Sequence, residues 1–325
     1  MNKTDHTDIR SGQAGFFIPL IASTFLMGSG FIAGKILLHD GFPALLLVGW
    51  RFFLAALATL PLVLLEGTLR KALFPPRAGP RNAALVILIG LLQTAAVMGL
   101  LFIALRTISA ATAAILLFTN PIWVALLGRI FLGESLRAGR MVGLLLGVAG
   151  VAFAIGIGPE LFSGGSQVTG ELIGLGSSLC WAVATVVNKR ANLPIGPWAL
   201  SFWQMLIGSL ALLGLAYGLG QHWPASVSID AWGWFLWLAI PGSTASFGFW
   251  FIALNKGGAT RTSGFLFLVP LFTVVLAYVV LGAPLTWHQA VGGGLIGIAL
   301  WLVNRGAPAR SKREEIAAAA AEGQP

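Results

Sequence analysis

Long apolar runs recur along the whole chain, each bounded by charged or turn-forming residues. A helix that crosses about 30 Å of hydrocarbon at 1.5 Å per residue needs about 20 apolar residues, so each run predicts a membrane-spanning helix. The runs lack the period-two alternation of barrel strands, which favours helices. We predict an all-α membrane protein of ten transmembrane helices (spans), numbered in chain order: Phe16–Leu38, Pro43–Leu65, Ala83–Leu105, Ala110–Leu132, Met141–Gly158, Gly170–Val187, Pro197–Gly218, Trp232–Leu254, Ala259–Leu281 and Trp287–Asn304.

The composition excludes a water-soluble domain. Hydrophobic residues make up 57% of the 325 residues, charged residues make up 10%, and the mean hydropathy is +0.87. Soluble domains carry about a quarter charged residues, so a tenth is too few to cover a surface of this size. The single cysteine, Cys180, cannot form a disulfide within the chain, and we expect it to serve packing.

The basic residues predict the orientation of the chain. With the N-terminus in the cytoplasm, sixteen Lys and Arg residues fall in the inner segments and one, Arg106, falls in the outer loops. By the positive-inside rule both termini are cytoplasmic, so residues 1–15 and 305–325 are cytoplasmic tails. We expect the protein to lie in the cell's inner membrane. This asymmetry accounts for the net charge of +9 without a nucleic-acid partner.

The two halves of the chain share a sequence pattern. At an offset of 149 residues Phe102–Leu105 falls on Phe251–Leu254, and Pro121 falls on Pro270. We therefore predict two five-span repeats, residues 16–158 and 170–304. Because five is odd, the second repeat enters the membrane inverted relative to the first, which is the arrangement that alternating access requires.

Three prolines predict breaks inside the spans. Pro121 and Pro270 lie in spans four and nine, where each removes an amide donor and disturbs the carbonyl four residues earlier, at Leu117 and Leu266. Pro241 predicts a similar break in span eight. A paired break at equivalent positions marks either a midplane substrate site or hinge, or only a kink.

Polar residues near mid-membrane are candidates for substrate contacts. The amides of Gln93, Asn120 and Gln204 are costly in hydrocarbon unless they are paired or hydrated. Each either bonds between helices or is a cavity ligand, and we predict interhelical bonding for Gln204. Lys35 either anchors span one at the outer interface or attracts an anionic group such as a carboxylate, whereas Arg51 is expected to hold helices together through carbonyls.

Trp181 and Trp250 are the tryptophans that we favour as an apolar wall for the substrate, the alternative being ordinary packing. Ser243 and Ser246 follow the Pro241 break, where their hydroxyls either satisfy freed carbonyls or face a cavity. Paired glycines in spans five and ten, listed last, predict close packing of helices within the chain or between subunits of a homo-oligomer: Gly143, Gly147, Gly293 and Gly297.

The acidic residues and histidines are informative by their position. All eleven acids and four histidines lie in tails, in loops or at span ends. Proton-coupled carriers usually rely on a titratable group at mid-membrane, so we predict a facilitator driven by the substrate gradient, with no metal and no cofactor. The alternative is coupling through a group that the sequence does not identify. An intramembrane enzyme is the alternative from another class, but no His-Glu-x-x-His motif or intramembrane aspartate pair is present to supply its chemistry.

The motifs resemble those of the drug/metabolite transporter superfamily, specifically its ten-helix members with two EamA domains, among them the YddG-type amino-acid exporters. The resemblance covers the chain from about Phe16 to Asn304. It rests on the following segments: Met27–Gly30 with Lys35, Trp50–Phe52, Phe102–Leu105, Asn120–Pro121 and Leu132–Glu134.

This resemblance implies a central cavity between spans one, three, four, six, eight and nine, where Gln93, Asn120, Trp181, Ser243, Ser246 and Trp250 stand on helices able to line it. Two positions depart from the family pattern. Val269 replaces a glutamate that often precedes the proline of span nine, and the second Leu-Gly-Glu motif reads Leu281–Ala283. The first departure fits an uncoupled carrier.

We predict an exporter of small amphipathic metabolites that works by alternating access, with amino acids as the leading substrate class. Apolar and aromatic walls, a few amide and hydroxyl groups and an outer cation suit a zwitterion with an apolar side chain. The alternative within transport is a drug or lipid-precursor carrier of the same fold, in which the aromatic wall holds a larger hydrophobe.

Overall fold

The structure of the protein is a computed structural model that describes residues 3–75, 79–104, 107, 116–135, 137–155, 166–282 and 286–304. Within these residues seven helices are long and apolar enough to cross a membrane, and three shorter apolar helices complete the ten spans. The all-α prediction is confirmed. The spans in order are Lys3–His39; Ala44–Val63; Pro80–Gly90, Leu91–Ala96 and Val97–Ala104; Asn120–Phe131; Ala138–Ile155; Ser166–Ala191; Pro197–Gly218; Ile229–Ala239, Ile240–Ala245 and Ser246–Lys256; Ala259–Gly264, Phe265–Phe267 and Leu268–Leu281; and Trp287–Asn304.

The ends of several spans differ from the sequence prediction. The first helix begins at Lys3 inside the predicted tail, because no proline interrupts the backbone hydrogen-bond ladder before Pro19. Span two continues into the 3₁₀ turn Leu64–Glu66, and a short helix, Leu69–Leu73, precedes span three. The predicted start of span four at residues 110–115, the end of span five at 156–158 and the tail at 305–325 lie outside the described residues.

The first span of each repeat packs against helices of the other repeat. Span one lies against spans eight and nine, and span six lies against spans three and four. Span two pairs with span seven and span five pairs with span ten, so both pairs join symmetry-related helices. Six spans therefore surround the centre of the protein: one, three, four, six, eight and nine.

Close backbone approach holds spans five and ten together. A Cβ at Gly143 would lie 3.0 Å from the carbonyl oxygen of Ala299, and a Cβ at Gly150 would lie 3.0 Å from that of Gly292. Lipid tails are as apolar as leucine, so helices in a membrane associate through such small-residue contacts. Packing within the chain is thus the role that the structure shows for Gly143, and the homo-oligomer stays a prediction.

The 149-residue offset of the sequence repeat reappears in the backbone. Single π-helical segments occupy Leu91–Ala96 in span three and Ile240–Ala245 in span eight, whose first residues differ by 149 positions. Such π turns are often found at functional sites because they locally weaken the helix ladder. Pro241 predicts the second break, but the first contains no proline, and only its register with the second half could have indicated it.

Candidate functional site

Ser178 of span six satisfies the carbonyl that Pro121 leaves without its helical donor in span four. The Ser178 hydroxyl donates to the carbonyl oxygen of Leu117 at 3.1 Å and lies 3.0 Å from Thr119 Oγ1. Asn120 Nδ2 in turn donates to the Ser178 carbonyl oxygen at 3.2 Å. Pro121 itself stands in the first turn of the helix that begins at Asn120. The break in span four is therefore stabilised by a side chain of the other repeat.

Replacing Ser178 by alanine should lower the free energy of unfolding by about 1–3 kcal/mol, because the buried Leu117 carbonyl would lose its partner. Thermal unfolding of the protein in detergent measures this loss. Ser209→Ala is the matched control, since the buried Ser209 hydroxyl donates at 2.8 Å to Leu206 of its own helix and joins no second span. Equal losses in the two variants would contradict the assigned role of Ser178.

The amides predicted as cavity ligands are buried with unpaired polar atoms. Gln93 is 2% exposed, and neither its Nε2 nor its Oε1 has a hydrogen-bond partner in the described part of the chain. Asn120 is fully buried, and its Oδ1 is likewise without a partner there. Buried polar atoms of native proteins are rarely unpaired, so these two residues need an explanation beyond packing.

Gln204 has a different environment from the other two amides. Its Oε1 accepts a hydrogen bond from the Thr94 hydroxyl of span three, while its Nε2 has no partner in the described part of the chain. The predicted interhelical bond of Gln204 is therefore confirmed.

Trp181 of span six and Trp250 of span eight lie close together within the second repeat. Their ring centroids lie 6.2 Å apart with planes inclined at 59°, and the side chains are 8% and 0% exposed. Both belong to the large apolar core that joins spans three, four, six, eight and nine. Neither indole Nε1–H has an acceptor among the described residues. The pair thus combines an apolar surface with two unused donors.

The hydroxyls that follow Pro241 bond to carbonyls of the broken helix. Ser243 Oγ donates to the Leu238 carbonyl oxygen at 2.9 Å, and Ser246 Oγ donates to that of Gly242 at 2.7 Å. Of the two predicted alternatives for these serines, the satisfaction of freed carbonyls is the one present in this structure.

Of the two cations predicted in the outer halves of their spans, Lys35 and Arg51, the structure describes the side chain of Arg51. The side chain of Lys35 lies outside the described residues. Arg51 was expected to bond to carbonyls, but its Nε donates to the hydroxyl of Ser243 at 2.7 Å. The π segment Ile240–Ala245 places this hydroxyl beside span two, which sequence spacing alone does not reveal.

Pro270 stands in the first turn of Leu268–Leu281, directly after the 3₁₀ turn of span nine.

Two glutamates cap helices of the opposite repeat on the cytoplasmic side. Glu66, at the end of span two, accepts from the first two amides inside span seven, at 2.8 and 3.2 Å. Glu134, at the end of span four, accepts from the corresponding amides of span nine, at 2.7 and 3.1 Å. A carboxylate at a helix N-terminus satisfies free N–H donors and interacts favourably with the helix dipole.

Both capped helices are preceded by a glycine, which leaves room for the incoming carboxylate. A Cβ at Gly196 would lie 2.1 Å from Glu66 Oε2, and a Cβ at Gly258 would lie 3.2 Å from Glu134 Oε1. Neither helix has a capping side chain of its own. Each N-cap is therefore supplied by another span. We name these two contacts the cross-repeat caps.

The Leu132–Glu134 motif positions one cross-repeat cap. Gly133 has φ +68°, which glycine adopts without strain, and the Glu134 amide donates back to the Gly128 carbonyl oxygen at 3.1 Å. This tight ending turns Glu134 towards span nine. Gly282 repeats the conformation with φ +64°, while the following Ala283 lies outside the described residues.

Basic residues at the end of span six close the same side of the protein. Lys189 Nζ donates to the carbonyl oxygen of Leu254 at 2.9 Å, at the end of span eight, and Arg190 donates to that of Phe131, at the end of span four. On the outer side, the neutral Gln221 Oε1 accepts from the Leu46 amide of span two at 3.1 Å. Charged side chains thus join the helix ends on the cytoplasmic side.

A cavity of about 430 Å³ lies apart from the predicted site, at the cytoplasmic ends of spans three and seven. Its lining is mostly apolar and includes none of the predicted site residues: Leu73, Phe74, Pro75, Asn82, Ala83, Val86, Ile87, Leu193, Pro194, Ile195, Trp203 and Ile207.

Comparison with known proteins identifies relatives over nearly the full length. The EamA-like transporter family matches residues 16–156 and 168–305. An uncharacterised transporter of Synechocystis, sll0355, is 30% identical over 92% of this chain and 91% of its own length. The uncharacterised inner membrane transporter YedA of Escherichia coli is 26% identical over 89% and 90%. A solved crystal structure with 21% identity superposes with a TM-score of 0.74, over 90% of this chain and 98% of the matched one.

Proposed function

Since the chain belongs to the EamA-like transporter family, we propose that it exports small amphipathic metabolites, amino acids foremost, by alternating access of its two inverted repeats. The observation that carries the proposal is the set of buried, unpaired polar atoms on four central spans. Four of the residues that carry them are Gln93, Asn120, Trp181 and Trp250, and Asn188 of span six also has an unpaired buried atom.

The chemistry of these atoms suits a zwitterion with an apolar side chain. The free amide oxygens of Gln93 and Asn120 are acceptors for an ammonium group, while the indole N–H groups of Trp181 and Trp250 are further donors. The indole rings offer an apolar surface to the remainder of the substrate. A purely apolar drug or lipid precursor would leave the amides unpaired, which favours the zwitterion.

The remaining predicted residues have supporting roles in this proposal. Ser243, Ser246 and Lys35 belong to the outer part of the substrate path. Pro121, Pro241 and Pro270 stand at breaks in spans four, eight and nine, where fewer backbone hydrogen bonds oppose bending, and we assign them to hinges.

Transport without proton coupling is part of the proposal. In the described spans no carboxylate or imidazole lies near the indole pair. Val269, at the position where the family resemblance implies a glutamate, is 1% exposed and packs into the apolar core. The substrate gradient is then the driving force.

Counterflow in proteoliposomes tests the proposed function. Vesicles preloaded with one unlabelled amino acid should accumulate the same labelled amino acid, and free amino acids should compete. The rate should be the same with and without a pH gradient. Counterflow of apolar drugs that amino acids do not inhibit would favour the alternative carrier, and a rate that follows the pH gradient would overturn uncoupled transport.

A further inference from the structure

We propose that Arg51 and Ser243 form an anion subsite that binds the carboxylate of the substrate at the outer end of the central site. This inference rests on the proposed function and deepens it by naming the charged group that the substrate carries.

Arg51 is a cation within the membrane. In the described part of the chain no salt bridge joins it to an acidic residue. Its guanidinium lies 4.6 Å from the centre of the Phe52 ring, and its Nε donates to Ser243 Oγ. A cation inside a span is costly and typically faces a substrate path or a partner. A ring and one hydroxyl solvate the charge without neutralising it.

The terminal nitrogens of Arg51 remain free for a ligand. Among the described residues the hydrogen bond to Ser243 is the one that the guanidinium makes, and it uses Nε. Gly30 of span one lies beside the guanidinium, since a Cβ there would be in van der Waals contact with Arg51 Nη2 at 3.9 Å and with Leu238 Cδ1 at 3.6 Å. The free edge of a guanidinium matches a carboxylate with two parallel hydrogen bonds.

The position of this subsite along span eight limits the shape of the ligand. Ser243 precedes Trp250 by seven residues, which corresponds to about 10 Å along a helix axis. Between them, Ser246 bonds to backbone carbonyls of the same helix. A molecule with a carboxylate at Arg51 and an apolar group towards the indole pair would fit this spacing. The subsite therefore favours amphipathic acids over their neutral amides.

The test compares acids with their amides in the counterflow assay. Phenylalanine is paired with phenylalaninamide, and phenylpropanoate with its amide. Arg51→Gln should raise the KM for the acids by about tenfold or more and leave the KM for the amides unchanged. Arg51→Lys should be intermediate, because it retains the charge but loses the planar fork. An equal change for acids and amides would overturn the subsite.

Two further variants protect the test against misfolding of the Arg51 variants. Gly30→Val places a branched side chain against Nη2 without removing the charge, and it should also raise the KM for the acids selectively. Ser243→Ala removes the bond that orients the guanidinium and should weaken the acids to a smaller extent. Unchanged selectivity in both variants, with normal thermal unfolding, would contradict the proposal.

The two proposals fail in different ways. If the unmodified protein carries phenylpropanoate but no amino acid, the proposed function fails and the anion subsite stands. If it carries amino acids while Arg51→Gln leaves the KM for the acids unchanged, the subsite fails alone.

Discussion

Replacing Gln93 by methionine is expected to lower the transport rate by at least about tenfold while the free energy of unfolding stays unchanged or rises. Met and Gln have similar volumes, so the substitution leaves no large cavity. Both polar atoms of Gln93 are buried without a partner in the described chain, and the folded state is therefore relieved of a desolvation cost when they are removed. The substrate, however, loses an acceptor and a donor, and two hydrogen bonds of about 0.5–1.5 kcal/mol each account for the loss of rate.

The opposed changes separate a substrate ligand from a structural residue. Counterflow gives the transport rate, and thermal unfolding in detergent gives the stability of the same preparation. Gln204→Met is the matched control, because the Gln204 Oε1 bonds to Thr94 and its loss should lower the stability. A Gln93→Met protein that is less stable and still transports would show that Gln93 holds helices together and does not bind substrate.

Asn120 and Trp181 should respond in a related way. Asn120→Ala and Trp181→Ala should each impair transport while membrane insertion stays intact. Trp181→Phe retains a ring but loses the indole N–H, so it distinguishes the apolar wall from the donor. Normal transport in all three variants would remove the assignment of the central site.

Sequence patterns predicted what depends on local composition. Apolar runs of about twenty residues located the spans, and the cost of a buried amide singled out Gln93 and Asn120 before any neighbour was known. The carbonyl freed by Pro121 was also predictable, because a missing amide always affects the residue four positions earlier. These inferences need only a residue and its own helix.

Contacts between the repeats could not be predicted in the same way. Ser178 and Leu117 are 61 residues apart, and Arg51 and Ser243 are 192 apart. Residue spacing does not encode which helix lies beside which. Glu134 was recognised as an acid at the end of a span and as part of the Leu132–Glu134 motif but not as a helix cap, since its partner is the beginning of a helix 125 residues further along. The missed features are those that require the three-dimensional arrangement of two repeats.

In the proposed alternating access, the cross-repeat caps oppose opening of the cytoplasmic side. Each joins a span of the first repeat to a span of the second at the cytoplasmic ends, so opening that side requires both glutamates to leave their helices. A helix cap contributes about 0.5–2 kcal/mol, which is sufficient to shift a conformational equilibrium by a factor of roughly 2 to 30. The outer counterpart, Gln221, is neutral and accepts from one amide.

Replacing Glu134 by alanine should therefore increase opening of the cytoplasmic side by about two- to thirtyfold. The reporter is a cysteine in place of the buried Ser263, in a protein whose Cys180 is replaced by serine. A maleimide added from the cytoplasmic side should label the Glu134→Ala protein faster than its parent by this factor. Gln221→Ala is the control, because it loosens the outer side and should not accelerate cytoplasmic labelling.

A second substitution separates the cap from the connection between the repeats. Gly258→Ser, added to Glu134→Ala, gives span nine a capping hydroxyl of its own. The backbone at residue 258, with φ −73° and ψ 152°, accepts a side chain without strain. Thermal stability should recover while the labelling rate remains high, because the helix is capped again but spans four and nine stay unconnected. If the labelling rate also returned to that of the parent, Glu134 would act only by stabilising its helix, and the cytoplasmic closure would have to depend on other contacts.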